Sequence, residues 1–235
     1  MNFQEGEIIY INKPYRMSSF GALAHIRYLV SKRVGKKVKM GHAGTLDPLA
    51  TGVLILCTGK ATKKIESLQY HTKEYTATLQ LGATTASYDR EHTVNQVYPT
   101  KHITRDLILG VLPRFIGDIE QVPPSYSACK INGDRAYQLR RDGQEVKLKP
   151  KVVHIDEIEL TDFDPDAMQM SIRVVCGKGT YIRSLARDIG RALGSGAFLT
   201  ALCRTRVGDV KLDECIDFDH FGEWLDHQEI ENTKS

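Results

Sequence analysis

The 235-residue sequence lacks long apolar segments and paired cysteines. Its longest apolar run, Val53–Cys57, is far too short to span a bilayer, so no membrane association is predicted. The first residues, MNFQEGEIIYINK, contain no basic segment followed by an apolar stretch, and we therefore expect no secretory leader. The five cysteines are odd in number and have no CxxC spacing, which indicates reduced thiols in the cytoplasm and no metal site.

The fingerprints of nucleotide cofactors are also missing. No GxGxxG motif occurs, and the spacing of the glycines does not match GxxxxGK[ST]. The sequence therefore predicts no bound dinucleotide and no P-loop.

Charge is distributed unevenly along the chain. Residues 211–235 carry eight acidic and two basic residues, whereas residues 1–210 carry 30 basic and 21 acidic ones, a net charge of +9. A basic body favours a polyanionic partner, and phosphate backbones are the commonest of these. A solvated surface with an acidic tail accounts for the same composition equally well.

Hydrophobic periodicity predicts strands mixed with helices around one large sheet, in an α/β or α+β protein. Ser18 or Ser19 is the predicted N-cap of the first helix, and Thr180 that of the helix at 180–193. Strands are predicted at 7–12, 53–58, 73–82, 151–161, 168–176 and 198–207, and helices at about 20–33, 60–70, 103–116, 134–142 and 180–193.

The segment GHAGTLDPLATG, residues 41–52, concentrates glycine, threonine and proline around Asp47. Glycines permit backbone conformations that are closed to other residues, and Pro48 pushes Asp47 toward an extended conformation. This pattern predicts a rigid loop that presents a carboxylate, where catalytic groups are often found. An Asx-type turn before a strand accounts for the same residues.

Four blocks of sequence together resemble the TruB-type tRNA pseudouridine synthases. The run GHAGTLDPLATGVLILCTGKATK resembles the catalytic motif of that family. Lys13-Pro14 with Ser18-Ser19 resembles its opening KPxGxTS element, residues 123–137 its PPxYSAxKxxGxxAY block, and residues 176–185 its third catalytic block. The blocks span roughly residues 7–208. The resemblance implies the pseudouridine synthase fold, with one large mixed, mainly antiparallel central sheet flanked by helices and loops.

The resemblance implies an isomerase that converts one uridine in the T loop of tRNA, position 55, to pseudouridine. The base is flipped, its glycosidic bond is cleaved, and it is re-attached through C5. The implied enzyme needs no cofactor and no metal, its partner is the T arm of tRNA, and we expect a cytoplasmic monomer without an obligate protein partner. Two alternatives stay open: a pseudouridine synthase that acts on another RNA, such as rRNA, and a non-catalytic tRNA-binding or tRNA-folding module.

The resemblance also implies an active site built from Asp47, Tyr75 and Arg183. The Asp47 carboxylate would act as a nucleophile or as a proton acceptor. Arg183 would pair with Asp47 and keep it ionised, and the Tyr75 ring would stack on the uracil. Alternatively, Arg183 is a surface residue of its helix and Tyr75 a core aromatic. The residues implied around the substrate are His42, Lys13, Tyr181 and Leu202.

Two basic segments are candidates for contacts with the RNA backbone. The first leads into the Asp47 motif, and the second lies in the region, about 123–151, where the family inserts an RNA-gripping loop. The residues predicted to contact phosphates are Lys32, Arg33, Lys36, Lys37, Lys39, Arg140 and Arg141.

The implied catalytic domain covers residues 1–210. Residues 211–235 are predicted to be a short acidic tail and no PUA-type domain, with an amphipathic helix through Phe218, Phe221, Trp224 and Leu225 packed on the body.

Three positions depart from the family pattern. Arg16 stands where the family usually has glycine, and Cys203 where arginine is common. The TASYD stretch at 85–89 lacks the first acidic residue of the family's TDTxD element, although Asp89 fits its last position.

Overall fold

The computed structural model describes residues 1–126, 130–131, 134–135 and 148–231. The chain divides into two compact units, one of Met1–Glu74 with Cys203–Ser235 and one of Tyr75–Leu202. We call them unit 1 and unit 2. The boundary expected from the sequence at residue 210 stays a prediction.

The described strands confirm the expected mixture of sheet and helix. The strands are β1 (Ile8–Lys13), β2 (Met40–Ala43), β3 (Thr51–Thr58), β4 (Lys73–Leu81), β5 (Ala83–Thr85), β6 (Val94–Val97), β7 (Gly117–Gln121), β8 (Lys130–Ile131), β9 (Asp134–Arg135), β10 (Lys151–Asp164), β11 (Gln169–Cys176), β12 (Ala197–Val207), β13 (Val210–Lys211) and β14 (Ile216–Asp217). The α-helices are α1 (Ser19–Val34), α2 (Ile65–Leu68), α3 (Arg105–Val111), α4 (Ile182–Ala192) and α5 (Phe221–Asp226). Short 3₁₀ helices cover Gly59–Lys64, Leu112–Phe115 and Leu212–Glu214.

Ten of the described strands form one mostly antiparallel sheet, which confirms the expected fold class. In unit 1 the order is β14-β1-β3-β12, with β2 also paired to β3 and β13 to β12. In unit 2 the order is β12-β4-β11-β10-β7. Strand β12 contributes its first part to unit 2 and its last part to unit 1. Among the described residues, no helix is both long and apolar enough to cross a membrane.

Helix α1 forms where its apolar spacing predicted it. The Ser18 hydroxyl accepts a hydrogen bond from the Gly21 amide at 2.9 Å, which satisfies one of the free amides of the first turn. The helix ends at Gly35, whose φ of 76° gives the left-handed conformation that glycine tolerates. Its buried face packs into the core of unit 1 through Ala22, Leu23, Ile26 and Val30.

The acidic C-terminal segment packs on the same core. Phe218, Phe221 and Leu225 are buried in the cluster that also holds the apolar face of α1. The rings of His25 and Phe218 lie 5.1 Å apart. The predicted amphipathic packing of this segment is confirmed.

In unit 2 the alternating strand β4 places Tyr75, Ala77 and Leu79 on its buried face, as predicted. Helix α4 buries Ile182, Leu185 and Ile189 of the predicted apolar stripe, and Leu193 at its C-cap is buried as well.

Two local predictions are wrong. Tyr181 and not Thr180 occupies the N-cap position of α4, because the Thr180 hydroxyl donates to the Gly177 carbonyl at 3.3 Å instead of capping the helix. The helix expected near 134–142 is contradicted at its start, since Asp134–Arg135 form strand β9 against β8. Residues 136–142 lie outside the described residues.

Candidate active site

Asp47 lies in the loop that joins β2 to β3, residues 44–50. One edge of β3 is shared by two strands: Ala43 of β2 pairs with Ile55, and Cys203 of β12 pairs with Thr51. The loop therefore leaves the sheet at the point where β12 replaces β2 as the neighbour of β3. A turn closes the loop, because the Ala50 amide donates to the Asp47 carbonyl at 3.0 Å.

Ser19 fixes the residue that precedes Asp47. The Ser19 hydroxyl accepts from the Leu46 amide at 2.8 Å and donates to the Leu46 carbonyl at 2.9 Å. Both residues are buried. The first turn of α1 is thereby attached to the loop by a pair of hydrogen bonds that water cannot replace.

Arg204 holds the two ends of the same loop. Its guanidinium donates to the Gly44 carbonyl at 2.9 Å and to the Val53 carbonyl at 2.8 Å, and the side chain is 1% exposed. Gly52 has a φ of 107°, and a Cβ there would lie 2.2 Å from the Arg204 carbonyl oxygen. The last glycine of the motif is therefore required by the close approach of β12.

Lys13 is fully buried beneath the loop, at 0% exposure. Its ammonium donates to the carbonyls of Pro14 at 2.7 Å and Met17 at 2.6 Å, and reaches that of Pro48 at 3.4 Å. Burial lowers the pKa of Lys13 to about 8, against the opposing attraction of the Asp47 carboxylate. The structure thus brings two of the predicted site residues, Lys13 and Asp47, within electrostatic range of each other.

Other predicted residues of unit 1 lie on nearby elements. His42 is half-buried on β2, where it pairs with Leu56 of β3. The side chains of the first basic segment are all exposed at the end of α1 and in the connection to β2: Lys32, Arg33, Lys36, Lys37 and Lys39. Arg140 and Arg141 lie outside the described residues.

In unit 2, Arg183 is 3% exposed, so the alternative of a surface arginine is wrong. Its guanidinium lies 3.8 Å from the Asp89 carboxylate and donates to the Ser87 carbonyl at 3.2 Å. The Ser87 hydroxyl also donates to the Asp89 carboxylate. Asp89 is thus a carboxylate partner of Arg183 within unit 2, and the predicted pairing of Arg183 with Asp47 stays a prediction.

Gln121 holds Tyr181 at the start of α4. The Tyr181 amide donates to the Gln121 side-chain carbonyl at 2.8 Å, and the Gln121 side-chain amide donates back to the Tyr181 carbonyl at 3.2 Å. Gln121 is 1% exposed, so this arrangement fixes the backbone two residues before Arg183. Tyr75 is buried on β4, which suits a core aromatic and a pocket wall alike, and Leu202 is half-buried on β12.

Sequence reasoning missed the residues that position the site. Ser19 was considered only as a helix cap, and Gln121 carried no signal at all. Arg204 was not singled out, although it directly follows the unusual Cys203. Within the described residues, no group of three or more His, Cys, Asp or Glu is arranged to hold a metal ion.

Comparison with known proteins gives consistent matches along nearly the whole chain. A model of the TruB family pseudouridylate synthase N-terminal domain matches residues 32–182, and one of the tRNA pseudouridylate synthase B C-terminal domain matches residues 183–233. The family match therefore continues past residue 208 into the acidic segment.

Proteins named tRNA pseudouridine synthase B are 62% identical to the chain. The one from Bacteroides thetaiotaomicron aligns over 100% of this chain and 99% of its own length, and the one from Bacteroides fragilis over 98% and 99%. A chain in the crystal structure of a Cbf5-Nop10-Gar1 complex is 30% identical over 97% of this chain, with a TM-score of 0.69, and this chain spans 58% of its length. By the extent and identity of these matches, the chain belongs to the TruB family of pseudouridylate synthases.

Proposed function

We propose that this protein isomerises a uridine in the T loop of tRNA to pseudouridine, with Asp47 as its catalytic carboxylate. The observation that carries the proposal is the loop around Asp47, which is held by Ser19, Arg204 and Lys13. Three buried groups from three elements fix one short loop, as expected of a site that must hold a reacting group in one geometry. The 62% identity to proteins named tRNA pseudouridine synthase B supports tRNA as the substrate.

The reaction exchanges one bond of the base for another. The N1–C1′ bond breaks, the uracil turns, and a C5–C1′ bond forms, while the C5 proton is lost and N1 gains one. Nothing is oxidised or reduced, so the atoms balance without a co-reactant. Asp47 acts either as a nucleophile toward the substrate or as the acceptor of a sugar proton, and both routes need an ionised carboxylate.

The remaining residues act on the substrate around that carboxylate. A stacked uridine must leave its loop before C1′ and C5 become accessible. We propose that Tyr75 stacks on the extruded base and that Arg183, held by Asp89, supplies positive charge. His42, Tyr181 and Leu202 would line the position of the base, and the exposed lysines and arginine at 32–39 would contact phosphates.

The activity is proposed for the single chain in the cytoplasm, without an obligate protein partner. The matching chain in the Cbf5-Nop10-Gar1 complex is part of a protein assembly, so activity without a protein partner is tested separately. Sedimentation of the purified protein with and without tRNA separates a monomer that binds one tRNA from a larger assembly.

Substitution of the carboxylate tests the proposed function. Asp47→Asn removes the charge at nearly constant volume, and we expect no pseudouridine in a T-arm transcript while RNA affinity stays within about tenfold of the wild type. Asp219→Asn, an exposed acid in the same unit, is the matched control and should retain full turnover. Near wild-type turnover by Asp47→Asn would refute the assignment of this residue.

The same product analysis separates the two alternatives. Pseudouridine formed in rRNA but not in tRNA would favour another RNA substrate. A chain that is 28% identical occurs in a structure of an H/ACA RNP bound to a substrate RNA, and this similarity is the reason to test RNAs other than tRNA. Tight binding of tRNA without any pseudouridine would favour the non-catalytic module.

A further inference from the structure

The segment between Glu7 and Asp47 is free of acidic residues. Residues 8–46 contain eight lysines and arginines and no aspartate or glutamate. One of the eight, Lys13, is buried under the Asp47 loop, and the others are not. This segment therefore contributes only positive charge to the surface around α1, which favours a polyanion over most proteins.

Helix α1 turns aromatic side chains outward along this surface. Phe20 is 66% exposed and Tyr28 is 61% exposed, and the two residues lie just over two turns apart on the solvent-exposed side of the helix. Lys32 continues the same face by one further turn. The opposite face is buried in the core of unit 1, so the exposed rings are not a requirement of packing.

Arg16, just before α1, adds an independent observation. Its φ of 61° lies in the left-handed region, where a non-glycine residue is strained. Glycine adopts this backbone conformation without strain. The chain instead carries an exposed arginine whose guanidinium lies 5.5 Å from the centre of the Tyr15 ring. A strained backbone kept for an exposed cation suggests a role for that cation in binding.

The acidic C-terminal segment limits this surface on one side. Phe218 lies against His25 of α1, and residues 213–231 carry eight acids and no lysine or arginine. A nucleic acid would be repelled from that flank and attracted to the face of Phe20 and Tyr28.

We propose that the α1 surface, formed by Tyr15, Arg16, Phe20, Tyr28 and Lys32, binds unpaired nucleotides of the substrate RNA away from the target uridine. Exposed rings interleaved with cations are typical of single-strand binding, because every base has a face that can stack. Helix α1 has 16 residues and is about 24 Å long, enough for about seven stacked nucleotides. It begins at Ser19, which is bonded to the Asp47 loop, so the bound strand would extend from the reacting base. This inference rests on the proposed function.

Arg16→Gly tests the role of Arg16 in RNA binding without destabilising the fold. Because glycine relieves the strain at φ 61°, we expect the melting temperature to stay the same or rise by a few degrees. We also expect tRNA affinity to fall and the slope of log Kd against log salt to become shallower by about one. Met168→Gly is the matched control, since Met168 also has a positive φ, of 48°, but lies in unit 2. Unchanged affinity and salt slope in Arg16→Gly would overturn the role of Arg16.

The aromatic residues are tested with Phe20→Ala/Tyr28→Ala and an oligoadenylate probe. The probe contains no uridine, so its binding does not depend on the catalytic pocket. Loss of stacking should weaken both the probe and tRNA by about tenfold for each ring. Tyr70→Ala, which removes a ring that is 64% exposed elsewhere in unit 1, should change neither affinity. Equal affinities in the double variant and the wild type would overturn the proposal. A double variant that binds RNA normally but no longer self-associates would also overturn it, because the exposed rings would then contact a second copy of the chain.

Pseudouridine formation by the wild-type protein distinguishes failure of the α1 surface from failure of the proposed function. If it forms no pseudouridine in any RNA, the proposed function fails, whatever the variants bind. If it is active and the double variant binds RNA as tightly, only the α1 surface fails.

Discussion

Replacing Ser19 by alanine removes one hydroxyl that makes two hydrogen bonds to Leu46. The amide and carbonyl of Leu46 then lose their partner at a buried position that water cannot reach. Each unsatisfied buried group costs about 1–3 kcal/mol, so we expect the free energy of unfolding to fall by about 2–6 kcal/mol. For a protein of this size the melting temperature would drop by roughly 5–15 °C. The loop that carries Asp47 would also lose its attachment to α1.

The assay combines thermal unfolding with single-turnover kinetics on a T-arm transcript. Measured well below the melting temperature, Ser19→Ala should lower the rate of pseudouridine formation at saturating RNA by at least about tenfold, because small displacements of a reacting group are costly. Ser18→Ala is the matched control. It removes an exposed helix cap, so it should cost about 1 kcal/mol and leave the rate unchanged.

Two results would refute this reasoning. A Ser19→Ala variant as stable as the wild type would mean that Leu46 finds other partners. A destabilised variant with full turnover would mean that the geometry of Asp47 does not depend on this pair of hydrogen bonds.

Three further predictions follow from the site. Arg183→Lys keeps the charge but loses the planar guanidinium, so turnover should fall at least about tenfold, and a double-mutant cycle with Asp89→Asn should show coupling between the two residues. Burial lowers the pKa of Lys13 from 10.5 to about 8, so the unfolded chain retains the Lys13 proton to higher pH than the folded protein does. The free energy of unfolding of the wild type, relative to that of Lys13→Met, should therefore increase by about 3 kcal/mol between pH 8 and 10.5. Urea unfolding of both proteins at the two pH values measures this, and a stability difference that stays the same at both would contradict the prediction. Exhaustive EDTA treatment should leave turnover unchanged on RNA folded beforehand, and a loss that zinc or magnesium restores would show that a metal is needed.

Local patterns in the sequence were sufficient to predict the elements that carry the site. Apolar spacing and the serine pair located α1 and its cap, and alternation located β4 with Tyr75 on its buried face. These succeeded because side-chain periodicity depends only on the geometry of one element. The predicted helix at 60–70 proved to be a 3₁₀ helix followed by the single turn of α2, since boundaries and helix type depend on neighbours.

The positioning residues could not be predicted because their partners are distant in sequence. Arg204 contacts Gly44 across 160 residues, and Gln121 contacts Tyr181 across 60. Hydrophobic periodicity and motif spacing are local patterns and do not indicate contacts between residues so far apart in sequence. The failure at Thr180 has the same origin on a smaller scale, because a hydroxyl that suits a helix cap donated to the Gly177 carbonyl instead.

The edge of β3 that β2 and β12 share has a consequence for biosynthesis. A ribosome has made all of the motif at residues 41–52 long before it reaches Arg204. A nascent chain that stops at residue 200 therefore contains Asp47, α1 and Lys13 but has no guanidinium to join Gly44 to Val53. Since domains tend to form from the N-terminus during synthesis, the first strands can pair early, yet the carboxylate gains its final support only when translation is nearly complete. Chains released prematurely would carry the whole motif and still lack an assembled reaction centre.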